Sequence, residues 1–166
     1  MSRAGIISDP FRFVAEGGAL SGRVALADLG RLADVLSDRQ GGVSYVVSAE
    51  TGADGDPFLR LKASAVLSLQ CQRCLNAMAW PLELDSLLRL VRAGVQIPDE
   101  ELEVEAFDTI EATADMDVLA LLEDEILLAV PIAPRHESCE SPRPPGGAEK
   151  ESPFAVLAKL RKGSAG

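Results

Sequence analysis

The chain has 166 residues, 47% of them hydrophobic and only 4% aromatic, which suits one domain with an aliphatic core and leaves too little for two. A formal net charge of −10 disfavours strong phosphate binding by the body, because that task needs clustered Lys and Arg, and it suits basic partners instead. No apolar run approaches the roughly 20 residues that span a bilayer, and "MSRAGIISDPFRF" lacks the apolar core of a signal peptide, so the expectation is a cytoplasmic protein with no membrane association.

Residues 1–20 are weakly patterned, and "SGRVALADL" reads as a short strand leading into a helix. Asp28 is placed to cap that helix over "LGRLADVLSDR", where Leu29, Leu32, Val35 and Leu36 fall at helical spacing, and Gly41 and Gly42 stop it. "VSYVVSAE" is β-branched and short, hence a strand, and "TGADGDP" is a turn of the kind that joins antiparallel strands. From Leu59 to Leu69 every odd position is apolar, and from Met78 to Leu90 most even positions are. Both runs have the period of a strand with one buried face, and "CQRCLN" connects them.

Residues 92–114 are acidic, with "ELEVEAF" as a candidate edge strand. Asp115 is then placed to cap a helix across "MDVLALLEDEILLAV", with Asp117 in its first turn, and Pro131 and Pro134 end it. The expected fold is an α+β domain over residues 1–139, an antiparallel sheet of about four to five strands with two main helices packed on it. A Pro/Gly-rich linker at 140–152 and a short amphipathic C-terminal helix at 153–162 follow.

All three cysteines and the single histidine fall into two compact pairs, Cys71-x2-Cys74 and His136-x2-Cys139. Two thiolates at that spacing bind one metal from a tight turn, and a structural zinc needs four such ligands. Two readings stand: one structural zinc ion on Cys71, Cys74, His136 and Cys139, or no metal and reduced turn residues. A catalytic zinc is disfavoured, since four protein ligands leave no open position. A redox dithiol has the right spacing in the wrong setting, because this pair lies between two strands rather than at a helix N-terminus.

Glu123, Asp124 and Glu125 are consecutive on a helix, about 100° apart, so they cannot form a carboxylate dyad; they are a solvated face or a docking surface for a basic partner. The C-terminal "SPFAVLAKLRK" carries an apolar stripe of Phe154, Leu157 and Leu160, which either completes the core or lies in a partner's groove. No nucleophile elbow, phosphate loop or Ser-His-Asp set is present, so an enzyme is disfavoured by inventory.

Three segments, "LQCQRCLNAM" after a long strand, "DVLALLEDEILLAVPIAPRHESCE" and "SPFAVLAKLRK", in that order resemble the YceD family of large ribosomal RNA subunit accumulation proteins. The resemblance is clearest over residues 59–139 and again over 152–162. It implies a small bacterial protein, not a known enzyme, that supports accumulation of 23S ribosomal RNA and biogenesis of the large subunit. By position, Cys71 and Cys74 match the family's C-x2-C, and Glu123, Asp124 and Glu125 match its acidic helix. The implied partner is a large-subunit precursor or a basic ribosomal or rRNA-processing protein. Direct RNA contact stays open, with Arg73, Lys159, Arg161 and Lys162 as its candidate residues. The alternative function is a thiol-redox or zinc-dependent protein built on CQRC.

Overall fold

The computed structural model describes residues 5–96 and 106–141. Short strand β1 (Ile6–Ile7) leads to helix α1 (Pro10–Ala15), whose start follows from Asp9: its carboxylate accepts the Arg12 N–H, and Pro10 suits the first helical position. Then come β2 (Ala19–Ala25), two 3-10 turns (Leu26–Asp28 and Gly30–Leu32), β3 (Leu36–Asp38), β4 (Gly42–Thr51), β5 (Pro57–Gln70) and β6 (Ala77–Arg92). After residues 93–107 follow β7 (Asp108–Ala112), β8 (Met116–Asp117) and helix α2 (Val118–Ala129).

The main sheet has six strands. Its order is β2-β4-β5-β6-β7, and β3 joins β5 beyond the end of β4. The β5–β6 hairpin is its spine: pairing runs unbroken from Phe58 opposite Arg89 to Gln70 opposite Ala77. On the other side of β5, β4 covers Pro57–Ser64, and β3 sets Leu36 opposite Leu69. β1 and β8 form a separate two-stranded ribbon that ties the N-terminus to the start of α2.

The alternation in the sequence is a partition of faces. Leu59, Leu61, Leu67 and Leu69 of β5 are fully buried or nearly so, with Leu82, Leu88 and Leu90 of β6 on the same face. The opposite face is wet, and Val46 and Val66 are exposed on it. Arg60 there is paired with both Glu50 and Asp85, and Lys62 lies 3.2 Å from Asp85, so these two strand cations are offset by their neighbours. α2 closes the apolar face with Val118, Leu122 and Ile126, spaced four apart along one helix stripe.

Three expectations need correction. The sheet has six strands where four to five were expected, and it is mixed rather than antiparallel, because β6 and β7 are parallel, with Leu88 opposite Asp108 and Arg92 opposite Ala112. Alternation reports which face is buried and is blind to the direction of a neighbour, so it cannot distinguish the two pairings. There is also one sizeable helix among the described residues, where two were expected. In place of a helix over "LGRLADVLSDR" stand the second 3-10 turn and β3, with the first 3-10 turn just before them. Leu26, Leu29 and Leu32 repeat every three residues, the 3-10 period, and all three are buried to 1% exposure or less. They plug the end of the core, and the chain then leaves as an edge strand.

The third correction concerns the cap of α2. Asp117 is the N-cap, its carboxylate accepting the N–H groups of Leu119 at 2.8 Å and Ala120 at 3.2 Å. Asp115 lies outside the helix with φ +56° and donates its N–H to Ser8 O. Most of "ELEVEAF", nearly all of the linker and the whole C-terminal segment lie outside the described residues.

Truncating Leu61 to Ala removes a fully buried side chain and is expected to cost about 2–5 kcal/mol of stability. Val66→Thr, on the wet face, should cost less than about 0.5 kcal/mol. Urea unfolding followed by circular dichroism measures both, and equal losses would contradict this assignment of faces.

Candidate metal centre

The connection between β5 and β6 is a tight knuckle. The Cys71 N–H donates to Asn76 O at 2.9 Å, and the Leu75 N–H donates to Cys71 O at 2.8 Å. Leu75 takes φ +64°, a left-handed conformation rare for a branched apolar residue, and this closes the turn directly after Cys74. The second pair arrives from the other end of the fold. α2 stops at Val130, whose backbone is already extended, and Pro131 cannot continue the helix. The chain then runs back along the knuckle, where the Gln72 N–H donates to Pro134 O at 2.8 Å.

Cys71, Cys74, His136 and Cys139 thereby converge, with all four ligand atoms within 4.8 Å of one another. Cys71 Sγ lies 3.7 Å from Cys139 Sγ, and Cys74 Sγ lies 3.3 Å from His136 Nδ1. A tetrahedral zinc with Zn–S bonds of about 2.3 Å has sulfur–sulfur edges of about 3.8 Å and sulfur–nitrogen edges of about 3.5 Å. These two separations lie close to those edges and exceed a disulfide bond of about 2.05 Å. A Cys3His set fits zinc on donor chemistry, on number and on spacing.

The sulfurs are held differently. Burial pushes the Cys71 thiol up, but the N–H groups of Cys74, His136 and Arg73, with the Cys74 thiol, outweigh it and bring it to about 5. The N–H of Asn76 pulls Cys74 down, yet burial and the neighbouring Cys71 and Cys139 sulfurs leave it above its ordinary value. Cys71 Sγ is fully buried and out of reach of a protein disulfide, which suits a metal ligand better than a redox nucleophile.

Arg73, a candidate RNA contact by sequence, points into this centre. Its Nε donates to Cys139 Sγ at 2.9 Å and its Nη2 to His136 O at 3.0 Å. That role carries no sequence signal beyond its place inside CQRC. The acidic triplet divides as the helix geometry requires. Glu123 accepts the Arg31 N–H at 2.9 Å, and Asp124 pairs with the Arg31 guanidinium, so both brace the 3-10 turn. Glu125 faces inward and is 7% exposed. Burial raises its carboxyl against the lowering effect of the Ser86 hydroxyl, and Asp108 and Asp124 add to the rise. Phe154, Leu157, Leu160, Lys159, Arg161 and Lys162 lie outside the described residues.

Residues 59–161 match the family model "Large ribosomal RNA subunit accumulation protein YceD". The chain belongs to the YceD family. A relative from Haemophilus influenzae that carries the same description is 31% identical over 157 residues, covering 85% of this chain and 86% of that protein. No solved structure matches the chain. The family match contains both halves of the centre, and the described residues hold no helix long and apolar enough to cross a membrane.

Glu125 yields a pH prediction. Its folded value lies above the ordinary carboxylate range, so the folded state binds more protons there and stability falls as pH rises through that interval. Glu125→Gln should be more stable than wild type at pH 7, and the gain should vanish below about pH 4, where the carboxyl is protonated in both states. Urea unfolding at the two pH values checks this, and a gain independent of pH would contradict it.

Proposed function

We propose that this chain is a non-enzymatic, cytoplasmic factor that supports accumulation of 23S ribosomal RNA and biogenesis of the large ribosomal subunit. It acts by binding a subunit precursor or a basic ribosomal or rRNA-processing protein. The observation that carries the reading is the YceD match from residue 59 to 161, supported by a relative that matches 85% of this chain. The chain's one histidine lies in the Cys3His cluster, which leaves little for general acid-base work elsewhere.

In this reading the centre holds one structural zinc through Cys71, Cys74, His136 and Cys139. The ion stabilises the hairpin tip against the segment after α2, and with four protein ligands it has no open position for substrate. Residues 1–139 act as the body and 140–152 as a tether. Residues 153–162 present Phe154, Leu157 and Leu160 to a partner, beside Lys159, Arg161 and Lys162, which are available to a phosphate backbone. Asp124 contributes exposed acidic surface and Glu123 a half-buried carboxylate, both next to Arg31.

Protein purified without chelators should carry about one zinc per chain by elemental analysis. Cys71→Ser, Cys74→Ser protein should carry none. In cells lacking the gene, the ratio of 23S to 16S rRNA should fall, and wild type should restore it. An unchanged ratio would remove the ribosomal reading. Restoration by the double variant would show that the cysteines are dispensable for it.

A further inference from the structure

We infer that Arg73 is the positioning residue of the metal centre, a clamp that holds the second ligand pair against the first and retains the ion. The inference rests on the zinc reading above and adds a residue to it. Arg73 lies between Cys71 and Cys74 on the knuckle, yet both of its side-chain hydrogen bonds cross to the other segment, to Cys139 Sγ at 2.9 Å and His136 O at 3.0 Å. One rigid guanidinium thus grips both members of the pair that comes from beyond α2. The planar fork makes the two bonds at once, which a lysine ammonium on a flexible stem does not do.

Charge gives the second reason. Three thiolates around a divalent ion leave the centre with one net negative charge, in a protein that already carries −10. Cys71 Sγ accepts the His136 N–H at 3.4 Å, whereas Cys139 has the Arg73 cation. The guanidinium offsets the excess charge at the sulfur it touches. Partners of this outer kind commonly change metal affinity by about 10–100-fold.

The test uses zinc-loaded full-length protein and a colorimetric chelator. Arg73→Ala should surrender zinc about 10–100-fold faster or bind it that much more weakly, and Arg73→Lys should fall between it and wild type. Release from Arg73→Ala within about twofold of wild type overturns the proposal. Should wild type hold no zinc, the zinc reading fails and the clamp is still measurable. Amide hydrogen exchange over residues 135–141 in metal-free protein should be faster in Arg73→Ala than in wild type, and unchanged exchange overturns the clamp. Arg73 is only half-buried, and a near-native circular dichroism spectrum confirms that the variant is folded.

Discussion

The register of β5 against β6 is the constraint on which the rest of the molecule depends. Side chains alternate across a strand with period two, so a slip of one residue would send Leu59, Leu61, Leu67 and Leu69 into water and Arg60 and Lys62 into the core. The same register leaves Cys71–Asn76 as the only residues between Gln70 and Ala77. A shifted pairing would lengthen or shorten that turn and move the sulfurs. The hydrophobic partition and the geometry of the ligand pair are therefore one choice made by one hairpin.

Much of this was legible in the sequence, and the reasons are specific. The odd-position run from Leu59 to Leu69 is long, and burial on one face is what alternation encodes. The two ligand pairs could be listed together because the chain has so few Cys and His residues, although bringing them together needed the return of the chain after α2. The leucines of residues 26–36 misled because Leu29, Leu32 and Leu36 satisfy helical spacing, while Leu26, Leu29 and Leu32 satisfy a buried 3-10 plug and Leu36 begins β3. Tertiary burial of Leu26 and Leu29 decided between them. The parallel neighbour β7 and the inward aim of Arg73 leave no trace in local pattern, since both follow from where distant segments arrive.

The acidic helix shows how sequence neighbours take different tasks. Glu123 and Asp124 hold Arg31, the middle residue of a 3-10 turn that has no long helix of its own to steady it. Glu125, one step on, spends stability by facing the sheet beside Ser86. A patch that looks uniform as a string of letters is a brace on one side and a buried carboxyl on the other.

The separation of the two ligand pairs along the chain also sets the order of events in synthesis. Cys71 and Cys74 leave the ribosome at the tip of the β5–β6 hairpin, but His136 and Cys139 follow only after α2 has been made. A metal joining them closes a loop that contains β6, β7, β8 and α2, and restricting a loop of that size removes on the order of 4 kcal/mol of unfolded-state freedom by the entropy model for cross-links. The ion would thus be captured late, by a body whose sheet is already in place, and a full centre would mark a polypeptide that has finished folding.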